Sequence, residues 1–168
     1  YSESLSWNEP ILAPYSLRDK FIHLIEREKK HAMQGRPARI VAKMNSLCDP
    51  GIIEALYEAS ASGVKIDLIV RGICCLRVGI PGVSENITVR SIVGNFLEHS
   101  RIFYFLNDGS TGVYMGSADW MPRNLDRRVE IIFPVLEDAL KEKALHILEV
   151  ELADNVKARV LCENGEYE

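Results

Sequence analysis

The chain lacks the features that mark a membrane-spanning or secreted protein. None of its apolar runs approaches the roughly 18 residues that a transmembrane helix needs. The opening residues, YSESLSWNEP, contain neither a basic segment nor a long apolar segment, so no signal peptide is apparent. Internal repeats and low-complexity stretches are also missing. With 168 residues, 47% hydrophobic and 26% charged, the sequence predicts a single soluble, globular domain.

Cysteine is scarce and follows no metal-binding pattern. The four cysteines are Cys48, Cys74, Cys75 and Cys162. Their spacing is not that of a metal site, and the adjacent pair is poorly placed to bind one ion together. We therefore expect reduced, buried thiols and no metal site within this chain.

Lysine is missing between residues 71 and 128. This window contains seven arginines and five acidic residues, a charge of +2, which leaves −6 on the rest of a chain of net charge −4. The negative total argues against a general nucleic-acid binder. Arginine grips phosphate or carboxylate oxygens through two parallel hydrogen bonds, so the window indicates an oxyanion ligand. Arginines scattered over the surface by chance would give the same count, and both interpretations stay open.

Strand, helix and strand follow one another at 39–45, 49–63 and 65–70. The helix has a complete set of signals, with Asp49 as N-cap, proline at its first position and Gly63 at its C-terminus. Two strands connected in this way are parallel. Ligands of such sheets bind beyond the carboxyl ends of the strands, which here are Asn45 and Arg71.

The other predicted elements surround this unit. A long connection at 72–98 contains one short strand near 87–90, and NDGST between two strands indicates a hairpin. The remaining elements are a helix at about 16–35, hairpin strands at 101–106 and 112–116, a strand at 127–135, a helix at 136–152 and a last strand at 156–161. The pattern is that of an α/β domain.

The hairpin brings polar residues together. A five-residue loop at 107–111 would place Arg101 opposite Ser117 and His99 opposite Asp119, with all four side chains on one face. An imidazole beside a carboxylate, with a guanidinium and a hydroxyl next to it, can perform acid–base chemistry on an anionic substrate.

Two alternatives accompany this site. Glu130, on the strand after the hairpin, is a second carboxylate that could orient His99, and the sequence does not choose between it and Asp119. His99 could instead be an ordinary histidine at a strand end, and Arg101 a surface residue.

Long segments of the sequence resemble a known family. The similarity is to the C-terminal region of bacterial polyphosphate kinase and spans roughly residues 14–162. It is carried by KMNSLCDPGIIEALYEASASGVKIDLIVRGICCLRVGIPGVSENITVRSIVGNFLEHSRIFYF and by GSADWMPRNLDRRVEIIFPV. In that family the region is a phospholipase-D-like domain, and the resemblance implies a mixed β-sheet flanked by helices on both faces. The implied organisation is a lead-in from a preceding domain at 1–15 and a single catalytic domain at 16–168.

The motif of the phospholipase D superfamily is altered here. The pattern His-x-Lys followed by Gly-Ser-x-Asn appears as His99-Ser100-Arg101 and Gly116-Ser117-Ala118-Asp119. Lysine has become arginine, asparagine has become aspartate, and Leu106 stands where an acid is expected. These departures fit a phosphotransferase better than a phosphodiesterase.

The resemblance implies reversible transfer of the terminal phosphate of ATP to inorganic polyphosphate, through a phosphohistidine and with Mg²⁺. The phosphorylated histidine and most of the Mg²⁺ site would belong to the preceding domain, so the fragment alone would be inactive. Arg71 would contact the nucleotide phosphates, and His99, with Arg101, would stabilise or protonate the group in transfer. We expect support from Asn45, Ser117, Asp119 and Glu130.

The implied partners are ATP or ADP, polyphosphate and the preceding domains of the same polypeptide. A homo-oligomer and a cytoplasmic location are expected for the full-length enzyme, with association with a membrane surface left open, and nucleic acid is not expected. Two other functions remain as alternatives, a phosphodiesterase of the phospholipase D type and a non-catalytic module that binds polyphosphate or nucleotide.

Overall fold

The computed structural model describes residues 11–12, 17–92, 101–126, 129–154 and 158–168. The helices within these ranges are α1 (Leu17–Met33), α2 (Pro50–Ala61), α3 (Pro122–Asp126) and α4 (Asp138–Leu152). The strands are β1 (Ile11–Leu12), β2 (Arg39–Met44), β3 (Lys65–Val70), β4 (Ile87–Ile92), β5 (Arg101–Phe105), β6 (Gly112–Gly116), β7 (Ile131–Pro134) and β8 (Ala158–Val160).

These strands form one mixed sheet in the order β1-β7-β6-β5-β2-β3-β4-β8. β2, β3 and β4 are parallel to one another, and each other neighbouring pair is antiparallel. The parallel strands lie between β5 and the edge strand β8, and β2 and β3 have buried residues on both faces. The mixed α/β sheet predicted from the sequence is confirmed.

The unit β2–α2–β3 has the predicted boundaries and caps. The carboxylate of Asp49 accepts a hydrogen bond from the backbone N–H of Ile52 at 3.0 Å, as an N-cap does. Beyond α2, Gly63 adopts a φ of +102°, a left-handed conformation that suits glycine after a helix. The Asp49 carboxylate is buried and also accepts a hydrogen bond from the guanidinium of Arg18 at 2.8 Å, which ties α1 to the start of α2.

Two hydrophobic clusters lie on opposite faces of the sheet. On one face α1 and α2 pack against β2, β3 and β5, and the fully buried Trp120 stacks on Phe103 and meets the edge of Phe21. On the other face, α4 inserts Ala144 and Leu148 among residues of β2, β3, β5 and β6. The predicted placement of helices on both faces is therefore confirmed. Of the helices in the described ranges, none is both long and apolar enough to cross a bilayer.

The predicted register of the hairpin is wrong by one residue. Phe105 pairs with Gly112, so six residues connect β5 to β6, and Arg101 lies opposite Gly116 rather than Ser117. The extra residue is Leu106, whose N–H bonds to the carbonyl of Arg39 on β2 and not to β6. A 3₁₀ turn at Asn107–Gly109 follows, with positive φ at two non-glycine residues. The hydrogen bond to β2 therefore determines at which residue the pairing of β5 with β6 ends.

Other boundaries differ from those predicted in smaller ways. The helix α3 was not predicted, because a five-residue element is too short for an amphipathic pattern. β4 extends two residues past the expected 87–90, and the described part of the expected strand 127–135 forms β7 at Ile131–Pro134. Residues 93–98, 127–128 and 156–157 of the predicted elements lie outside the described residues. Ile11 and Leu12 of the expected lead-in pair with β7 in this sheet, and the assignment of 1–15 to a preceding domain stays a prediction.

The double role of Asp49 gives a testable prediction. We expect Asp49→Ala to lower the free energy of unfolding by about 2–3 kcal/mol, because it removes both the N-cap and the acceptor for Arg18. Asp49→Asn keeps a capping oxygen and should lose about half as much. Urea unfolding of the two variants and the unmodified protein measures the difference, and equal losses would show that the cap contributes little.

Candidate functional site

One edge of the sheet collects the polar residues that the sequence singled out. β2, β3 and β6 end there, and β5 and β7 begin there, because of their directions in the sheet. The residues at this edge are Asn45, Arg71, Arg101, Ser117, Asp119 and Glu130. The topology thus gathers at one place residues that are separated by up to 85 positions, Asn45 and Glu130 being the farthest apart.

The side chain of Asp119 connects three segments of this edge. Arg101 donates to it from Nε to Oδ1 at 3.0 Å and from Nη2 to Oδ2 at 3.4 Å. The backbone N–H of Asn45 donates to the same Oδ1 at 2.8 Å. The Asp119 side chain is only 7% exposed and the Arg101 side chain 15%, so water screens the pair weakly. Asp119 therefore fixes the guanidinium of Arg101 beside the end of β2.

The structure gives the Asp119 carboxylate two partners that the sequence did not predict. The sequence paired Asp119 with His99 on a register that is not the observed one, and the described partners of the carboxylate are Arg101 and the N–H of Asn45. His99 itself lies outside the described residues. The identity of the carboxylate that orients His99 stays a prediction, for Asp119 and Glu130 alike.

Arg71 presents a cation to solvent at the same edge. Its backbone N–H bonds to the carbonyl of Met44 at 3.1 Å, and its own carbonyl accepts the Ser91 hydroxyl at 3.4 Å. The next residue, Gly72, lies so close to Asn45 that a Cβ would stand 2.9 Å from the Asn45 carbonyl oxygen. The backbone around Arg71 is thus held on both sides, while its side chain is exposed and available to an anion.

Ser117 and Glu130 form a second hydrogen-bonded pair at the same edge of the sheet. The Ser117 hydroxyl donates a hydrogen bond to Oε2 of the buried Glu130 and accepts one from the N–H of Ile131 at 3.2 Å. Gly116 precedes this pair where β6 touches β7 so closely that a Cβ would collide with the carbonyl oxygen of Ile131. Packing between β6 and β7 therefore requires glycine at position 116 of the motif, whether or not the motif also binds a ligand.

Asn124 belongs to the site but was not predicted. It is buried in α3, and its Oδ1 accepts the backbone N–H of Asp119 at 3.3 Å. Recognising this contact from the sequence would have required the position of α3, whose five residues carry no periodic signal. Asn124 holds the backbone of Asp119 in place, so that the carboxylate points towards Arg101.

The described residues do not assemble a metal centre by themselves. No group of three or more His, Cys, Asp and Glu side chains in the described ranges is placed to hold an ion. Asp119 is engaged by Arg101, and Glu130 by Ser117. Within the described ranges, the residues therefore do not by themselves fit a protein cage for Mg²⁺.

Comparison with known proteins identifies the family. A family model described as polyphosphate kinase C-terminal domain 2 matches residues 11–168. The chain belongs to this family. A polyphosphate kinase of Thermosynechococcus vestitus is 53% identical to this polyphosphate kinase domain over 167 residues, which are 99% of the chain and 23% of that relative. The chain thus spans about a quarter of the length of the curated relatives that it matches.

Solved structures agree with both the family and the fold. A crystal structure of polyphosphate kinase from Porphyromonas gingivalis is 44% identical and superimposes with a TM-score of 0.90, over 94% of this chain and 24% of that one. The phospholipase D family member Nuc from Salmonella typhimurium is 18% identical with a TM-score of 0.57, over 86% of this chain and 95% of that one. The phospholipase-D-like fold expected of this polyphosphate kinase domain is confirmed.

The Arg101–Asp119 pair makes the site testable by stability measurements. We expect Asp119→Ala to lower the free energy of unfolding by about 3 kcal/mol, because it removes the buried carboxylate that accepts hydrogen bonds from the Arg101 guanidinium and from the Asn45 N–H. Asp119→Asn retains one oxygen and should cost about 1–2 kcal/mol. Asp138→Asn is the control, because the Asp138 side chain is 97% exposed. A loss for Asp119→Ala no larger than that of the control would contradict the connecting role of Asp119.

Proposed function

We propose that the full-length protein transfers the terminal phosphate of ATP reversibly to inorganic polyphosphate, and that this chain provides one half of the site. The observation that carries the proposal is the convergence of Arg71 and the Arg101–Asp119 pair at one sheet edge, in a domain of the polyphosphate kinase family. Phosphoryl transfer requires in-line positioning and stabilisation of charge on the phosphate oxygens more than it requires covalent help from the protein.

Arg71 and Arg101 would both bind phosphate, each in a different way. The Arg71 side chain is exposed on a backbone held by β2 and β4, so it can make a two-point contact with the nucleotide phosphates. Arg101 is held by Asp119 through Nε and Nη2, which orients the guanidinium before any ligand arrives. A charge that is already oriented stabilises the transition state without reorganisation during the reaction.

His99 is proposed as the second histidine of the site. It precedes Arg101 by two residues, and its proton could pass to the oxygen that leaves as the phosphate is transferred. The histidine that carries the phosphate would come from a preceding domain, because none of the other histidines lies in a matching motif. His23, His31 and His146 are all on helices.

Mg²⁺ would be held mainly outside this chain. Mg²⁺ usually keeps several waters and binds one or two carboxylates together with substrate phosphates. Because Asp119 and Glu130 already have partners, we assign no Mg²⁺ ligand to the described residues. The proposal thus places the ion on the ATP phosphates and on the remainder of the polypeptide.

The remaining proposals concern the whole protein. We propose ATP or ADP and polyphosphate as substrates, and the preceding domains of the same polypeptide as the partner that completes the site. A homo-oligomer and a cytoplasmic location are proposed as well, on the family resemblance alone.

Substitution of Arg71 and His99 in the full-length protein tests the proposal. We expect Arg71→Gln to raise the KM for ATP by about 10–100-fold, because a charge-assisted hydrogen bond to phosphate is lost. His99→Ala should lower kcat by about 10²–10⁴-fold, the usual contribution of a general acid. Initial rates of polyphosphate synthesis over a range of ATP concentrations give both quantities.

Arg77→Gln is the matched control, since Arg77 is also an exposed arginine of the connection that follows β3. Its KM for ATP should stay within about twofold of the unmodified value. A non-catalytic module would keep full turnover in His99→Ala. A phosphodiesterase would cleave a model phosphodiester through a covalent intermediate at His99, and either result would contradict the kinase proposal.

A further inference from the structure

Two thiols of different loops lie in contact beside the proposed site. The Sγ atoms of Cys48 and Cys75 are 2.9 Å apart. Cys48 stands between the end of β2 and the N-cap Asp49, and Cys75 lies in the connection after β3. The contact thus joins two segments that are 27 positions apart in the sequence.

The backbone fixes this proximity. Leu47 donates its N–H to the carbonyl of Ile73 at 2.9 Å and accepts the N–H of Cys75 at 2.9 Å. Leu47 and Cys74 accordingly form a parallel bridge, and Cys48 and Cys75 are the next pair along it. Neighbouring strands lie about 4.8 Å apart, which falls within the Cα separation of about 4.4–6.8 Å that disulfides span. Forming a bond of about 2.05 Å would need the sulfur atoms to approach by less than about 1 Å.

The other two thiols are not placed to compete. Cys74 points to the opposite side from its neighbour Cys75 and packs against the core cluster under α1 and α2. The Cys74 thiol bonds to the carbonyl of Leu76 at 3.7 Å. Cys162 is in a separate turn, where its thiol bonds to the carbonyl of Val160 at 3.7 Å. Only the Cys48–Cys75 contact joins two sulfur atoms within the described part of the chain.

We propose that Cys48 and Cys75 are a reversible redox pair, closed to a disulfide by peroxides and reopened by thiol reductants. This goes beyond the proposed function and does not depend on it. Cys75 is the exposed member of the pair and therefore meets the peroxide first. The Cys75 thiolate attacks the peroxide and becomes a sulfenic acid, and the displaced hydroxide leaves as water after proton transfer. The Cys48 sulfur then attacks the sulfenic sulfur, and its proton leaves with the hydroxyl as a second water. In total two thiols lose two electrons, and one hydrogen peroxide is reduced to two waters.

The assignment of roles to the two thiols has an electrostatic basis. Burial, followed by the hydrogen bond with Cys75, raises the pKa of the Cys48 thiol to about 12. Cys48 therefore stays protonated near neutral pH and is a poor first nucleophile. Cys75 is exposed, so the buried thiol expected from the sequence is wrong at this position, and the oxidant reaches Cys75 first.

A closed bond would connect the two loops that carry Asn45 and Arg71. Cys48 follows Asn45 by three residues and Cys75 follows Arg71 by four. A disulfide cross-links the segments in the unfolded chain as well, so it should raise the melting temperature of the oxidised protein.

Peptide mapping of the oxidised protein tests the proposal. Purified, fully reduced protein is treated with one equivalent of hydrogen peroxide, alkylated and digested without reductant. We expect the linked peptide of Cys48 and Cys75 to exceed any other cysteine pair by at least about tenfold. The link should be intramolecular on a non-reducing gel and should disappear with dithiothreitol. The readout is covalent and remains valid if the proposed kinase activity fails.

Variants make the test specific. Cys74→Ser and Cys162→Ser should each leave the yield of the Cys48–Cys75 link unchanged, while Cys75→Ser should abolish both the link and the rise in melting temperature. Because Cys75 is exposed, its replacement should not disturb folding, which circular dichroism checks. Free thiols at both positions after peroxide treatment, a link to Cys74 or Cys162, or intermolecular dimers as the main product would each overturn the proposal.

Discussion

A buried carboxylate at the end of β6 connects three segments that are far apart in the sequence. The Asp119 carboxylate accepts hydrogen bonds from the Arg101 guanidinium at the start of β5 and from the Asn45 N–H at the end of β2. The backbone N–H of Asp119 in turn donates to the side chain of Asn124. A buried carboxylate is tolerated only when it is paired and hydrogen-bonded. The arrangement of the sheet edge therefore depends on this carboxylate, and the phosphate-binding geometry that we propose depends on the sheet edge.

The same contact gives a physical meaning to two departures from the superfamily pattern. Lysine is replaced by Arg101 and asparagine by Asp119, and the two replacements meet as an ion pair. A change of asparagine to aspartate alone would bury a negative charge near the site, and the adjacent guanidinium offsets it. The position where an acid is expected holds Leu106, which leaves the sheet at the opposite end of β5 and packs with the cluster under α4. The candidate site thus has Arg101 at the position where the phospholipase D pattern has a lysine.

The parts of the fold that could be predicted are those with local signals. The prediction of the β2–α2–β3 unit was correct because Asp49 and Gly63 are local signals for the two ends of α2, and because the buried strands are continuous apolar runs. The hairpin register was missed because Leu106 bonds to β2, a strand remote in sequence. Arg101, Ser117 and Asp119 were named from the motif, and Asn45 and Arg71 from the carboxyl ends of two predicted strands. The partner of Asp119 was missed because it depends on the hairpin register. Asn124 and α3 carry no periodic signal and could not have been found.

We propose that one edge of this sheet binds the phosphates of the nucleotide. Hydrogen–deuterium exchange of the full-length protein, with and without ATP, tests it most directly. We expect slower exchange in peptides that contain Asn45, Arg71 and Asp119, and unchanged exchange in the turn at Asn107–Gly109, which lies at the opposite end of β5. Protection at the Asn107–Gly109 turn with none at the other three positions would contradict it.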